Sequence, residues 1–267
     1  MIATALSIAG SDPSGGAGIQ ADLKTFGALG VFGLTAITAL TAQNTRGVSG
    51  VHLVPAGFVQ DQLASIFADV RVDAIKIGMI ATSTIAEAVA NALSEYAQDI
   101  PIILDPVMIA KGGASLLDPQ AINILQTRLM PLATLMTPNL AEAAALLGEP
   151  MATTREQMLA QGRALIAQGV SAVLMKGGHA PMEECCDLLL FQGREEWFWG
   201  ERIHTKNTHG TGCTLSSAIA AHMARGDNIR DAVFASKQYI QGAIEEADTL
   251  HVGTGHGPVH HFHALWT

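Results

Sequence analysis

The stretch DAIKIGMIATSTIAEAVANALSEYAQDIPIILDPV, residues 73–107, contains two short apolar runs separated by a longer segment. The runs DAIKIGM and IPIILDPV are typical of buried strands, because they are short and nearly continuous in apolar residues. The segment between them, TSTIAEAVANALSEYA, repeats its apolar residues at helical spacing. A strand, a helix and a second strand in this order predict neighbouring parallel strands covered by a helix.

The same alternation continues on both sides of this stretch. Further strands are predicted at 3–10, 31–43, 48–54, 133–139 and 171–178, with a hairpin around Gln192-Gly193. Helices are predicted at 17–30, 54–70, 118–130, 140–147, 153–169, 214–226 and 229–247, with Gly148 ending the fourth of them. The pattern predicts an α/β fold with a mainly parallel sheet covered on both faces. No linker-like or low-complexity segment interrupts it, so we expect a single domain over residues 1–267.

Composition and charge limit the classes of function. Hydrophobic residues make up 49% of the 267 residues, but no apolar run approaches the roughly 18 residues that cross a bilayer. The first apolar run has no lysine or arginine before it, which argues against a secretory signal. Three cysteines cannot all pair, which favours a reducing cytoplasm. The net charge of −9 argues against a nucleic-acid partner, but it leaves a small anionic ligand open.

Polar residues follow several predicted strands at the point where each strand ends. Asp105, Asn139 and Lys176 come directly after or at the end of apolar runs, and Glu142 lies one helical turn beyond Asn139. In open α/β sheets the chemistry lies beyond the carboxyl ends of the strands. Two carboxylates, an amide and a lysine at one edge predict a site for an anionic substrate with a divalent cation.

The segment NTHGTGCTLSSAIAAHMA (207–224) changes from a glycine-rich turn to a helical pattern. Gly210, Thr211, Gly212 and Cys213 would present N–H groups at the positive end of a helix dipole, which predicts an anion hole. Leu215 stands where a dinucleotide fingerprint requires glycine, and the chain has no G-x-x-x-x-G-K-[ST] loop.

Structural interpretations of the same residues stay open beside these functional ones. The glycine segment also fits an ordinary turn capped by a threonine. Asp105 also fits a turn or a helix cap, and Lys176 also fits a lysine that reaches from the end of a buried strand to solvent. The histidines near the carboxyl terminus match no zinc pattern and are expected to serve packing or the surface: His256, His260, His261 and His263.

Several runs carry a resemblance across nearly the whole chain: AGSDPSGGAGIQADLKTF (9–26), TALTAQNT (38–45), KIGM (76–79), LDPVM (104–108), TPNLAEA (137–143), LMKGGH (174–179), TKNTHGTGCTLSSAIAA (205–221) and GPVHHFH (257–263). In order and spacing they resemble the bifunctional hydroxymethylpyrimidine/phosphomethylpyrimidine kinases of thiamine biosynthesis, which belong to the ribokinase-like superfamily. The resemblance implies a three-layer α/β/α sandwich. It also implies ATP-dependent phosphorylation of 4-amino-5-hydroxymethyl-2-methylpyrimidine to the monophosphate and then to the diphosphate.

The resemblance also implies roles for individual residues. Asn139 and Glu142 match an N-x-x-E element that helps to hold Mg²⁺ through water, and Lys176 would contact phosphate of ATP, with Asp105 beside it. Gln43 matches the residue that hydrogen-bonds the aminopyrimidine. The remaining residues that the resemblance places at the pyrimidine are Met79, Val107 and, less directly, Asp22.

Cys213 stands where many sugar-kinase relatives carry an aspartate base. The resemblance therefore implies that Cys213 takes the proton from the substrate hydroxymethyl group, with Asp22 as the alternative base. A cysteine at a helix N-terminus often has a lowered pKa, so we expect a reactive thiolate.

Two other functions stay open. Pyridoxal is also a heteroaromatic ring with a hydroxymethyl group, so a pyridoxal kinase is one alternative. A pyrimidine-binding protein without catalysis is the other. The resemblance implies a homodimer as the oligomeric state to test.

Overall fold

A central sheet runs through the computed structural model, which describes residues 1–108, 119–178 and 185–266. Its strands are β1 (Thr4–Ala9), β2 (Phe32–Ile37), β5 (Ala74–Ile77), β6 (Ile102–Leu104), β7 (Leu135–Met136), β8 (Ala172–Lys176), β9 (Cys185–Phe191) and β10 (Arg194–Gly200). In the described part of the chain, these eight strands have the order β10-β9-β8-β7-β6-β5-β1-β2. Along this order, every neighbouring pair between β8 and β2 is parallel, and β9 and β10 add an antiparallel hairpin beside β8.

Helices cover both faces of this sheet. They are α1 (Gly18–Ala28), α2 (Ala56–Asp69), α3 (Ser83–Tyr96), α4 (Pro119–Ile124), α5 (Leu140–Leu147), α6 (Arg155–Ala167), α7 (Thr211–Ala224) and α8 (Ile229–Glu245). Phe26, Ile219 and Ile240 place α1, α7 and α8 in one apolar layer. Leu63 of α2 and Leu165 of α6 belong to the opposite layer, with residues of α3, α4 and α5. The predicted three-layer α/β/α sandwich is confirmed.

The run 31–43, predicted as one strand, forms two strands in different sheets. β2 ends at Ile37, and the Thr38 N–H donates to the carbonyl of Ala9, the last residue of β1. Beyond that point β1 offers no further ladder partner, so the chain leaves the central sheet. The next segment, β3 (Ala39–Asn44), pairs antiparallel with β4 (Gly47–Leu53), as a separate two-stranded sheet.

Helix α7 begins three residues earlier than its apolar pattern predicts, at Thr211. Gly210 is its N-cap residue and has the left-handed φ of 79°, which glycine adopts without a steric penalty. The Thr211 hydroxyl donates to the Thr208 carbonyl at 2.8 Å, and the Thr214 N–H donates to the Gly210 carbonyl at 2.8 Å. Gly212 and Cys213 therefore lie in the first helical turn, where backbone N–H groups have no intrahelical partner.

One predicted helix and one cysteine side chain reach outside the described part of the chain. The predicted helix 118–130 begins at Asp118, which is not described; from Pro119 it continues through a π-helical turn, Leu125–Leu129, and a 3₁₀ turn, Met130–Leu132. The side chain of Cys185 is also not described, whereas Cys186 is buried and Cys213 is half-buried. Within the described ranges, no helix has the length and apolar character needed to cross a membrane.

Candidate active site

A cavity of about 420 Å³ lies beyond the carboxyl ends of β1, β5, β6 and β8, next to the start of α7. This size is within the range of small-molecule sites. The cavity brings together all but one of the residues predicted for the site: Gln43, Met79, Asp105, Val107, Asn139, Glu142, Lys176, Gly210, Thr211, Gly212 and Cys213. The exception is Asp22, which does not line it.

Four of these residues form what we call the phosphate cluster: Asp105, Asn139, Glu142 and Lys176. The Lys176 ammonium lies 3.0 Å from Asp105 Oδ1 and 4.0 Å from Glu142 Oε2, and 15% of its side chain is exposed. Thr137 and Ser216 donate to the two carboxylate oxygens of Asp105 at 3.2 and 3.3 Å. The cluster therefore holds one cation at the cavity surface between two carboxylates.

Charge coupling sets the protonation of this cluster. Burial alone would lower the pKa of Lys176, but Asp105 and Glu142 outweigh it and raise that pKa. Burial would raise the pKa of Asp105, but Lys176 and Lys76 hold it below the usual range. Burial raises the pKa of Glu142 to about 7; Lys176 opposes this shift and Asp105 adds to it. Glu142 is therefore a buried carboxyl group that a further cation would stabilise in its charged form.

The residues at the start of α5 fit a magnesium ion held partly by substrate. Asn139 and Glu142 form a capping box: each side chain accepts the backbone N–H of the other, at 2.9 and 2.8 Å. This arrangement fixes both side chains at the cavity wall. Among the described residues, no group of three or more metal-binding side chains is present, and the histidines near the carboxyl terminus form none. Mg²⁺ is commonly bound by one or two carboxylates together with phosphates and water.

The glycine-rich turn before α7 lies beside the phosphate cluster. A Cβ on Gly212 would lie 3.4 Å from Lys176 Nζ and 3.7 Å from Asp105 Oδ2, so the bare backbone leaves space beside the cation. A Cβ on Gly210 would overlap the Gly16 carbonyl oxygen. The two glycines therefore differ: Gly210 is required for packing of the turn, and Gly212 keeps the cavity open at the first turn of α7.

The expectation of a lowered pKa at Cys213 is wrong for the protein without ligands. Burial raises the pKa of its thiol to about 11, and the nearby carboxylates of Asp22 and Asp105 act in the same direction. Lys76 and the Gly18 N–H oppose this shift without overcoming it. A helix N-terminus lowers a thiol pKa only where loss of solvation does not exceed the effect of the dipole.

Gln43 belongs to a second group, which we call the ring cluster: Asp12, Thr41, Gln43 and His209. Asp12 Oδ2 lies 2.7 Å from His209 Nε2, and Gln43 Nε2 lies 3.3 Å from the same ring nitrogen. A ring N–H that donates to Asp12 cannot also accept, so the Gln43 amide oxygen is better placed toward His209 after a 180° rotation of the amide. Its NH₂ then faces Thr41 Oγ1, whose proton goes to the Ser11 carbonyl at 2.9 Å.

Asp12 and His209 were not predicted, although both stand in runs that sequence analysis identified, GSDPSGGAG and THGTGC. Burial alone would raise the pKa of Asp12, but hydrogen bonds from His209 and Ser14 lower it. His209 is connected to the carboxyl-terminal segment, because its backbone N–H donates to the Gly257 carbonyl at 3.0 Å. The signal that could have found them was their position beside glycines at a predicted strand end and helix start.

Asp22 lies behind the cavity, which corrects its predicted contact with substrate. Its side chain is fully buried and is 3.0 Å from Lys76 Nζ through both carboxylate oxygens. It also accepts hydrogen bonds from Ser7 at 2.5 Å and Ser217 at 2.6 Å. With these partners it cannot take a proton from a ligand in the cavity. Lys76, which lines the cavity, was missed because it stands inside the apolar run AIKI.

A ribokinase-like sandwich with a lysine, two carboxylates and a glycine-rich helix start at one cavity defines a class: the protein is a phosphotransferase. Residues 12–260 match the family model described as phosphomethylpyrimidine kinase. The chain is 56% identical over 262 residues to the hydroxymethylpyrimidine/phosphomethylpyrimidine kinase of Escherichia coli strain K12, with 98% of both chains covered. It therefore belongs to the phosphomethylpyrimidine kinase family.

Solved structures agree with the fold. A phosphomethylpyrimidine kinase from Clostridium difficile 630 superimposes with a TM-score of 0.81 at 40% identity, over 91% of this chain and 100% of that one. An ADP complex of Bacillus subtilis pyridoxal kinase superimposes with a TM-score of 0.92 at 36% identity, over 100% of both chains. The second likeness supports nucleotide use by this fold.

Proposed function

We propose that this protein transfers phosphoryl groups from ATP to hydroxymethylpyrimidine and then to its monophosphate, as a step of thiamine biosynthesis. The observation that carries the proposal is the shared cavity: the phosphate cluster, the ring cluster and Cys213 all line it. Relatives named for this activity include the E. coli kinase that is 56% identical to this chain.

The phosphate cluster binds and orients the nucleotide. Lys176 neutralises charge on the triphosphate, and the N–H groups of Gly212 and Cys213 at the start of α7 donate to the group in transfer. Glu142 and Asn139 would hold Mg²⁺, partly through water, and the ion would neutralise phosphate charge when bound. Phosphoryl transfer needs positioning and charge neutralisation more than covalent help from the protein.

The ring cluster binds the acceptor. Gln43 offers a donor and an acceptor to the amino group and ring nitrogen of a pyrimidine, with Met79 and Val107 as apolar lining. In the first phosphorylation, the bond from the hydroxymethyl oxygen to the γ-phosphorus forms while the bond to ADP breaks. The Cys213 thiolate receives the hydroxymethyl proton.

The second phosphorylation differs in its nucleophile. A phosphate monoester has a second pKa of about 6, so its oxygen is already largely deprotonated near neutral pH. No protein base is required, and Cys213 should matter less. Lys176 and the helix start serve both reactions, because both transfer a phosphoryl group.

A substrate panel tests the proposal. The purified full chain is supplied with Mg-ATP and either hydroxymethylpyrimidine, its monophosphate or pyridoxal, and the products are identified by mass spectrometry. We expect the pyrimidine mono- and diphosphate. Phosphorylated pyridoxal alone would show a pyridoxal kinase, and no substrate-dependent ADP from any acceptor would show a binding protein without catalysis.

We also propose that the protein is a homodimer and that it is located in the cytoplasm. Light scattering of the purified chain should give twice the mass of one chain, 27.9 kDa, if the protein is a homodimer. Cell fractionation should recover it in the cytoplasm.

A further inference from the structure

Lys76 is a buried charge to which the proposed reaction assigns no role. Its side chain is fully buried on the central strand β5, and both oxygens of Asp22 lie 3.0 Å from its ammonium. Gly78 leaves room for this group, since a Cβ there would lie 2.7 Å from Lys76 Nζ. A charged pair at this depth is costly to desolvate, and apolar residues of similar size would avoid that cost.

The pair is connected to the helix that carries Cys213. Ser217 donates to Asp22 Oδ1 at 2.6 Å, and Ser217 lies four residues after Cys213 on α7. Residues four apart lie on the same face of a helix. The face of α7 that presents Cys213 is therefore the face that is bonded to Asp22, and Lys76 lines the same cavity as the thiol.

Four charged side chains from four elements act on Cys213. Lys76 of β5 and Lys176 of β8 favour its thiolate, because a negative charge on the thiol raises the pKa of each lysine. Asp22 of α1 and Asp105, which follows β6, favour the neutral thiol. Lys76 is the strongest charge that lowers the thiol pKa, and Asp22 is the strongest that raises it.

We propose that the Lys76–Asp22 pair sets the protonation of Cys213, with Lys76 favouring the thiolate from the cavity wall and Asp22 opposing it from behind that wall. Both are positioning residues, because each acts on the reaction through the charge that it places near the thiol. The inference rests on the proposed base role of Cys213 for its importance in catalysis. The charge coupling itself does not depend on that role. In the first phosphorylation, the ammonium would offset the negative charge of the thiolate before the hydroxymethyl proton arrives there.

Two single variants separate this role from a purely structural one. Lys76→Met and Asp22→Asn break the same ion pair, so a structural role predicts similar effects from both. The proposal predicts opposite effects on the thiol. Loss of the cation should make the Cys213 thiolate scarcer, and loss of the anion should make it more abundant.

The experiment measures alkylation of Cys213 by iodoacetamide in the full chain without ligands, between pH 7 and pH 11, with peptide mapping to separate Cys213 from Cys185 and Cys186. At pH 8 we expect alkylation to be roughly tenfold slower in Lys76→Met and roughly tenfold faster in Asp22→Asn, which is about one pKa unit in each direction. Equal rates, or changes in the same direction, would overturn the proposal.

A conservative variant and a double variant cover the case in which a single variant does not fold. Lys76→Arg retains the charge and should alkylate within about threefold of the wild-type rate. The double change Lys76→Met with Asp22→Leu removes both charges and should also return close to the wild-type rate, since the two effects oppose each other. A large decrease in Lys76→Arg would show that shape, and not charge, controls the thiol.

The two proposals fail in different ways. Alkylation requires no substrate, so a protein that phosphorylates no pyrimidine could still show the opposite shifts. If the shifts appear and the rate of the first phosphorylation does not follow them, the base role of Cys213 is wrong and the charge coupling holds.

Discussion

The phosphate cluster and the ring cluster line one cavity, but they present different chemical groups to a ligand. In the phosphate cluster, Lys176 keeps part of its side chain exposed, and its partners Asp105 and Glu142 also line the cavity. In the ring cluster, the Gln43 amide and the Thr41 hydroxyl line the cavity, and Asp12 and His209 are hydrogen-bonded to each other at 2.7 Å. The phosphate cluster therefore presents an ammonium group to a ligand, and the ring cluster presents an amide and a hydroxyl group.

This difference matches the two ligands proposed for the cavity. A triphosphate needs cations and free N–H donors, whereas a neutral aromatic ring needs an oriented amide and apolar lining. Changes in the phosphate cluster should therefore slow both phosphorylations, and changes in the ring cluster should weaken binding of the acceptor. Cys213, the proposed base, should affect the first phosphorylation more than the second.

Replacement of Cys213 by alanine should give the largest difference between the two reactions. We expect Cys213→Ala to slow the first phosphorylation by roughly 10²- to 10⁴-fold, the range for a positioned general base. The second should lose much less. Because the reactive form is the thiolate and the thiol pKa is about 11, the wild-type first reaction should accelerate about tenfold per pH unit between pH 7 and pH 9.

Single-turnover rates of each reaction across this pH range provide the measurement. In Cys213→Ala the slope of the first reaction should disappear, and the second reaction should show little slope in either protein. Small and equal losses in both reactions would leave Cys213 as a packing residue.

Lys176→Met tests whether the exposed cation serves both reactions. It should lower kcat by roughly 10²-fold or more in the first and second phosphorylations alike, comparable to the loss of one oriented donor at a charge-stabilising site. The KM for the pyrimidine should change little. Lys206→Met, at an exposed position outside the cavity, is the matched control. Near-normal turnover would show that Lys176 only reaches for solvent.

The two glycines at the start of α7 separate activity from stability. Gly212→Ala should lower kcat roughly tenfold or more with little change in Tm, because its Cβ would occupy space beside Lys176 without close backbone contact. Gly210→Ala should lower Tm, since its φ of 79° is strained for alanine and its Cβ would overlap the Gly16 carbonyl. Thermal melting and steady-state rates of both variants test these two expectations. Loss of stability in Gly212→Ala would weaken the anion-hole assignment.

Much of the fold could be predicted from the sequence, because strand and helix patterns alternate without interruption. The start of α7 was predicted three residues too late, because the helical pattern in the sequence begins at Thr214. The helix starts after Gly210, whose left-handed φ cannot be read from the sequence. The break at Thr38 depends on where its partner strand β1 ends, and this pairing between distant residues is not visible in the sequence.

Site residues at strand ends could also be predicted, because parallel strands bring their carboxyl ends to one edge. Lys176 was found for this reason. Lys76 was not, since a lysine in the middle of an apolar strand has no sequence signal that identifies a partner 54 residues away. The pKa of Cys213 was predicted in the wrong direction because the helix start was visible in the sequence and the burial was not.

Gln43→Leu should give the smallest effect and tests the ring cluster alone. The change is nearly isosteric and removes the hydrogen bonds to the ring, which costs on the order of 1–3 kcal/mol for groups left unpaired. We expect the KM for the pyrimidine to rise about tenfold or more while the KM for ATP stays unchanged.

Gln62→Leu is the control variant, because the Gln62 amide is hydrogen-bonded to the backbone of Ile37 and does not line the cavity. Since Gln43 lies beside His209, a His209→Asn variant should raise the same KM if the ring nitrogen orients the amide. An altered KM for ATP in Gln43→Leu would place this residue on the nucleotide side and remove the distinction between the two clusters.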